Sequence, residues 1–168
     1  MNWRIKSILQ TTLEGEHFNV CVDLGCGEGY YSETIKKHCK FLIGVDHNLP
    51  RLSVAERFGK YDMLVNADIR EFPLPNETEA AFMLDVIEHI PKQDGTTLLQ
   101  KLTTLPNIKL IFISTPLTFT TRGFRNKHVS LWTTEDLQAH GFQTQIITNP
   151  FPLSLISKHE IIAIYRKA

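Results

Sequence analysis

The sequence predicts an α/β protein with a doubly wound, mostly parallel sheet and an antiparallel hairpin at one edge. Two observations support this fold. Apolar and β-branched runs of strand length alternate with helix-length segments along most of the 168 residues, and strands joined by such crossovers pair in parallel. The last two apolar runs are separated by only ten residues, 149–158, without a clear helical pattern, which favours antiparallel pairing at an edge.

Seven segments have the composition of buried strands. The segment 108–115, "IKLIFIST", is the clearest of them, because it is almost entirely apolar and β-branched. The predicted strands are 19–24, 40–46, 61–68, 79–86, 108–115, 142–148 and 159–166.

Helices are predicted in most of the connections between these strands. The helix near residue 133 has the clearest boundaries, since Thr133 is a suitable N-cap, acidic residues follow and Gly141 ends the pattern. The connection "IREFPLPNET" is too short for a full helix. The predicted helices are about 3–12, 28–38, 49–58, 92–102 and 133–141.

Composition indicates one globular domain, 1–168, with a short N-terminal helix and lead-in, 1–18, before a core at 19–166. Hydrophobic residues make up 42% and charged residues 21%, as in folded proteins. Lys plus Arg and Asp plus Glu both number 18, which argues against a nucleic-acid partner gripped by bulk charge. No apolar run approaches the ~20 residues of a membrane span. The N-terminus lacks a signal-peptide pattern, so a cytoplasmic protein is expected.

A glycine-rich turn follows the first strand in "VDLGCGEGYYS". Its spacing, Gly25-x-Gly27-x-Gly29, differs from the GxGxxG that receives a dinucleotide pyrophosphate. Asp23 and Glu28 would also repel a phosphate. Both carboxylates suit a cationic ligand, such as one with the ammonium and sulfonium groups of S-adenosylmethionine.

Acidic residues also end the next two predicted strands. Asp46 follows the glycines by about 20 residues, where an acidic side chain commonly binds ribose hydroxyls, and His47 could lie beside the base. Asp68 is placed to contact the exocyclic amine of adenine, and Ile69 to pack against the ring.

The chain resembles class I S-adenosylmethionine-dependent methyltransferases over about 20–166. The segments that carry the resemblance are "VDLGCGEGYYS", "GVDHN", "NADIREFPLP", "MLDVIEHIP" and "ISTP", in the usual order. The segment "HVSLWTTEDLQAHGF" is similar to the one after strand five in many small-molecule members. The resemblance implies a Rossmann-like, seven-stranded α/β/α sandwich, S-adenosylmethionine as cofactor, and methyl transfer to an oxygen or nitrogen of an unidentified acceptor.

The predicted cofactor-binding residues lie at the ends of the first four strands, and two of them, Leu84 and Asp85, are assigned by the resemblance. The full set is Asp23, Gly25, Cys26, Gly27, Tyr30, Asp46, His47, Asp68, Ile69, Leu84 and Asp85.

Candidates for the acceptor side lie near the ends of strands four and five. His89 and His128 are candidate bases or substrate contacts, with packing roles as the alternative. Tyr31, Arg122 and Trp132 are candidate substrate-binding residues. Trp132 could instead anchor its loop by packing, and the cluster of Arg122 with Arg125 and Lys127 could be simply solvated or could recognise an anionic substrate.

No metal ligand is assigned, although whether Asp85, Glu88, His89 and His128 bind a divalent ion is left open. A small-molecule acceptor is favoured. Methylation of a nucleic-acid base amine is disfavoured, because "LDVIEH" lacks the Asn/Asp-Pro-Pro-aromatic tetrad. The alternative function is a non-catalytic S-adenosylmethionine-binding subunit or sensor, since the short N-terminal lid leaves room for a protein partner. A nicotinamide-dependent oxidoreductase is disfavoured by the glycine spacing.

Overall fold

The computed structural model describes residues 3–117, 128–148 and 159–167. Its described strands form one seven-stranded sheet in the order β3-β2-β1-β4-β5-β7-β6. The strands are β1 (Phe18–Leu24), β2 (Cys39–Asp46), β3 (Met63–Asn66), β4 (Ala80–Leu84), β5 (Leu110–Pro116), β6 (Gln143–Thr148) and β7 (His159–Arg166). The pairs among β1 to β5 are parallel, whereas β7 pairs antiparallel with β5 and β6. The predicted fold, including the antiparallel C-terminal strands, is confirmed.

Helices cover both faces of the sheet. They are α1 (Trp3–Leu13), α2 (Ser32–Lys36), α3 (Leu49–Phe58), α4 (Lys92–Thr104) and α5 (Thr134–Gln138), with a 3-10 turn at Ile87–His89. Alternate residues of β1 enter two separate cores: Val22 packs with the leucines of α4, and Cys21 with those of α1. A parallel sheet buried on both faces needs apolar residues at nearly every strand position, which explains the continuous apolar runs.

The helix predicted at 28–38 is shorter in the structure, where α2 spans Ser32–Lys36. Gly29 has a φ of +82°, and its carbonyl accepts a 2.6 Å hydrogen bond from the Ser32 hydroxyl. This left-handed residue keeps the chain in a turn and delays the helix. The Thr133 N-cap is confirmed, and with Asp136 it forms a capping box.

The strand order creates one crevice for a ligand. From β1 the chain moves outward through β2 to β3, and it then returns to β4 on the other side of β1. The connections therefore diverge at the carboxyl ends of β1 and β4, the position where open α/β sheets bind ligands. None of the described helices is long and apolar enough to span a membrane.

Gly95 on α4 is expected to resist replacement by alanine. A Cβ atom there would lie 2.4 Å from Cζ2 of Trp132, which is buried. Alanine is the better helix former by about 1 kcal/mol, but this overpacking should outweigh it. We expect Gly95→Ala to lower the free energy of unfolding in urea by about 1–3 kcal/mol.

The control is Thr97→Ala, at an exposed position of the same helix, which should leave stability unchanged or slightly higher. A Gly95→Ala variant as stable as the wild type would show that Trp132 does not depend on this close contact.

Candidate functional site

A cavity of about 300 Å³ lies at the crevice between the ends of β1 and β4. Its lining residues come from β1, the glycine turn, α3 and the end of β4. They are Asp23, Gly25, Cys26, Gly27, Glu28, Tyr30, Tyr31, Arg51, Leu84 and Asp85.

The glycine turn is held to β2 by backbone hydrogen bonds. The N–H groups of Gly25 and Cys26 donate to the Val45 carbonyl at 2.7 and 3.0 Å, and that of Gly27 donates to Oδ2 of Asp46 at 2.8 Å. Gly25 and Gly27 have φ angles of +74° and +53°, which favour glycine. At these two positions the turn therefore presents backbone without a side chain to the cavity.

The Asp46 carboxylate joins this turn to the start of α3. Its Oδ2 accepts from Gly27, and its Oδ1 accepts from the Asn48 N–H at 2.8 Å. Asp46 is buried, so these two bonds replace much of its lost hydration. His47 beside it is exposed, with Nδ1 3.9 Å from Oδ1 of Asp46.

Asp23 places a buried carboxyl group at the floor of the cavity. The side chain of Tyr61 donates a 2.6 Å hydrogen bond to its Oδ2. Burial is the main reason that the pKa of Asp23 rises to about 7, with a smaller contribution from Asp46, while the Tyr61 hydrogen bond opposes the rise. This site therefore favours a cationic ligand.

The end of β4 has an unusual backbone conformation at Asp85. Its φ is +58°, and within the described part of the chain no other residue except glycine has a positive φ. Its N–H donates to the carbonyl and the hydroxyl of Ser114 at 3.0 and 3.1 Å, and Oδ1 accepts from the same hydroxyl. Ser114 on β5 thus fixes this turn, which leads from the cavity to the 3-10 turn.

A cluster of three polar side chains, Glu88, His89 and His128, lies at the 3-10 turn that follows Asp85. Oε1 of Glu88 is 3.8 Å from Nε2 of His89, and Oε2 accepts from the Thr115 hydroxyl at 3.1 Å. The imidazoles of His89 and His128 meet edge to face with centroids 5.0 Å apart. The fold thus brings together two predicted residues that are 39 positions apart in sequence.

The loop that contains His128 is attached to the 3-10 turn through its backbone. The N–H groups of Val129 and Ser130 donate to the Glu88 carbonyl at 2.9 and 3.1 Å. Trp132 is 1% exposed, and its Nε1 donates to the Ile87 carbonyl and the Ser130 hydroxyl. The structure therefore favours packing for Trp132 over the predicted substrate contact.

Burial favours the protonated, uncharged form of the Glu88 side chain. Its pKa is raised to about 8, first by burial and then by repulsion from Asp85 and Glu160. One ligand atom from each of Glu88, His89 and His128 lies within 4.8 Å of the others. Two imidazoles and a carboxylate can act as a base system or bind a divalent ion.

The cavity brings together seven of the eleven predicted cofactor-binding residues: Asp23, Gly25, Cys26, Gly27, Tyr30, Leu84 and Asp85. It also includes Tyr31, a predicted substrate-binding residue.

Four predicted cofactor residues are not among the lining residues of this cavity: Asp46, His47, Asp68 and Ile69. Both oxygens of Asp68 are bound by Arg70, whose Nε is 2.9 Å from Oδ1 and whose Nη2 is 2.5 Å from Oδ2, and Ile69 is buried in the core. The predicted Arg122, with Arg125 and Lys127, lies outside the described residues.

The structure adds Arg51 and Tyr61 to the site, and it places Glu28, which the sequence associates with a cationic ligand, at the cavity. Glu28 and Arg51 line the cavity, and Tyr61 contacts Asp23 from the loop before β3. Arg51 and Tyr61 reach the site only through tertiary packing, for which their local sequence contains no signal.

Comparison with known proteins finds methyltransferases by family, by sequence and by structure. The family model described as "Methyltransferase domain" matches residues 22–105, half of the chain. The ubiquinone biosynthesis O-methyltransferase of Coxiella burnetii (strain Dugway 5J108-111) is 29% identical over 87 residues, which cover 49% of this chain. The match covers only 36% of that protein, about a third of the length of the curated relatives.

Two solved structures have the same fold at 19% identity. The Burkholderia thailandensis 1,6-didemethyltoxoflavin-N1-methyltransferase, crystallised with 1,6-didemethyltoxoflavin and S-adenosylhomocysteine, superposes with a TM-score of 0.73 over 98% of this chain and 77% of its own. The small RNA methyltransferase HEN1 gives a TM-score of 0.72 over 97% of this chain and 25% of its own. The chain belongs to the methyltransferase domain family, as a class I methyltransferase that depends on S-adenosylmethionine.

Proposed function

We propose that this methyltransferase transfers the methyl group of S-adenosylmethionine to an oxygen or nitrogen of a small-molecule acceptor. One observation carries the proposal: a buried carboxyl group and a glycine turn line one end of a crevice, and the group of Glu88, His89 and His128 lies beyond Asp85.

The residues at the cavity fit S-adenosylmethionine. Asp23 is a counter-ion for its ammonium group, and the left-handed Gly27 leaves open space at the cavity where a side chain would project. Asp46 remains our proposal for the ribose hydroxyls, and Asp68 with Ile69 for adenine. The bound cofactor supplies an electrophilic methyl group on a positively charged sulfur.

On the acceptor side, the chain supplies proton removal and orientation. His89 and His128 are proposed to take the proton of the attacking group, in keeping with the role of imidazole as a base near neutral pH. Glu88 lies 3.8 Å from Nε2 of His89, and the Thr115 hydroxyl holds its carboxyl group by a hydrogen bond. Methyl transfer is mainly a matter of alignment, so these contacts matter as much as basicity.

Charge near the site favours a small acceptor over a polyanion. Asp85 and Glu160 lie close enough to Glu88 to add to the burial that raises its pKa, and these two carboxylates would repel a nucleic-acid backbone. The curated relative and the toxoflavin enzyme are named for small-molecule substrates. HEN1, named for small RNA, shares the fold at 19% identity.

Replacement of Asp23 by asparagine should stabilise the protein without cofactor at neutral pH. Because the folded-state pKa of about 7 exceeds the ordinary 3.8, the stability associated with this group is present below pH 4 and lost as pH rises towards 7. We expect Asp23→Asn to exceed the wild type by roughly 2–4 kcal/mol at pH 8 and by much less at pH 5, measured by urea unfolding.

The control is Asp62→Asn, at an exposed carboxylate whose pKa is lowered, which should change stability equally at both pH values. An Asp23→Asn effect that does not depend on pH would contradict the raised pKa.

Glycine variants separate backbone strain from ligand contact. Gly27 and Gly15 have φ angles of +53° and +78°, and neither has an atom within 4 Å of an added Cβ. Alanine should therefore strain both by about 1–2 kcal/mol. We expect Gly27→Ala to weaken S-adenosylhomocysteine binding by at least ~100-fold in calorimetry, because its Cβ would enter the ligand site, whereas Gly15→Ala binds like wild type. Equal affinity of the two variants would remove the turn from the site.

Turnover tests the reaction itself. Fractionated metabolite pools are incubated with S-adenosylmethionine, and release of S-adenosylhomocysteine is measured. Wild type and Gly15→Ala should be active on the same fraction and Gly27→Ala inactive, while His89→Asn and His128→Asn lower kcat but still bind S-adenosylhomocysteine.

A chelator should leave this activity unchanged. Loss of activity that Mn²⁺ restores would instead assign the group of Glu88, His89 and His128 to a metal. Binding without turnover in any fraction would contradict the proposed acceptor class and favour a cofactor-binding subunit.

A further inference from the structure

Tyr61 is a residue of the cofactor site that does not line the cavity. It lies in the loop before β3, and its hydroxyl donates to Oδ2 of Asp23 at 2.6 Å. Among the residues that the structure describes, no donor within hydrogen-bonding distance is found for the other oxygen, Oδ1. Asp23 itself lines the cavity, so one oxygen is bound from within the protein and the other remains available to a ligand.

Three glycines make the space that the Tyr61 ring occupies, and we call them the glycine slot: Gly29, Gly44 and Gly59. A Cβ on Gly44 would lie 2.8 Å from Cδ1 and Cε1 of the ring. On the opposite edge, a Cβ on Gly29 or Gly59 would lie 3.0 Å or less from Cε2. Contacts below 3.0 Å do not occur between relaxed side chains, so any larger residue in the slot would displace the ring.

The slot is built from three separate parts of the chain. Gly29 belongs to the glycine turn, Gly44 to β2, and Gly59 follows α3. Gly44 is also the β2 partner of Asp23 in the parallel register. The three glycines therefore enclose the Tyr61 ring from both edges, and Gly44 does so directly beside Asp23 in the sheet.

We propose that Tyr61 is a positioning residue for cofactor binding: held in the glycine slot, its hydroxyl orients the Asp23 carboxylate and stabilises its ionised form for the ammonium group. This inference rests on the proposed role of Asp23. Tyr61 acts through Asp23 and does not touch the cofactor.

The charges around Asp23 explain why such a donor is needed. Asp46 on β2 raises the pKa of Asp23, as burial does, whereas the Tyr61 hydroxyl lowers it. Burial is the main reason that the pKa values of Cys26 in the glycine turn and Tyr31 before α2 are raised, and the Asp23 carboxylate adds to both rises. The pKa of Tyr61 is raised too, by burial and by Asp23, so the phenol stays protonated and remains a donor.

The test is Tyr61→Phe, which keeps the ring in the slot and removes only the hydroxyl. S-adenosylhomocysteine affinity is measured by calorimetry from pH 5.5 to 8.5, with Tyr165→Phe as a control on β7. We expect the midpoint of the pH dependence to rise by at least about one unit, and affinity at pH 7 to fall by about tenfold, since a hydrogen bond to a charged group is lost.

The outcomes are distinct. A shifted midpoint in Tyr61→Phe, with an unchanged midpoint in Tyr165→Phe, supports the positioning role. A lower melting temperature with an unshifted midpoint would reduce Tyr61 to a packing residue and overturn the proposal. Failure of the wild type to bind would instead overturn the proposed role of Asp23, on which this inference depends.

Discussion

The site depends on one constraint, a carboxyl group that is buried at the end of β1. Asp23 is 3% exposed and is flanked in the sheet by Gly44 of β2 and Phe82 of β4. A carboxylate in such a position loses most of its hydration and must be compensated by hydrogen bonds or a cation. Tyr61 provides one hydrogen bond, and the geometry leaves the remaining charge to a cationic ligand. In the function proposed above, this buried charge, which we expect to weaken the protein without cofactor, makes the crevice favour a cationic ligand.

The contacts that a Cβ atom would make explain why several positions in this region are glycine. Gly25 cannot take a side chain because an added Cβ would lie 2.5 Å from Cγ2 of Val86, whereas Gly27 has open space at the cavity. Gly44 and Gly59 make room for Tyr61. The glycines thus serve different purposes: Gly25 makes room for Val86, Gly44 and Gly59 make room for the phenol that reaches the buried carboxyl group, and Gly27 is proposed to let the backbone approach a ligand. Only the approach to a ligand could be inferred from the motif.

Local patterns in the sequence predicted the architecture well, because a sheet buried on both faces leaves continuous apolar runs. Thr133 was predicted correctly as an N-cap since its capping box is local. The extent of α2 was wrong, because the left-handed Gly29 and the Ser32 hydroxyl determine where that helix begins. The contacts of Tyr61 with Asp23 and of His128 with His89 join distant segments. Neither could be derived from periodicity, although both histidines were candidates from their positions near strand ends.

The most direct test of this account measures protons during ligand binding. S-adenosylhomocysteine is titrated into the protein at pH 6, in buffers with different heats of ionisation. If a protonated Asp23 must ionise to receive the ammonium group, binding should release about one proton per ligand at pH 6, and fewer as the pH approaches 8. A binding heat at pH 6 that is the same in every buffer, or no binding at all, would contradict the central role of Asp23.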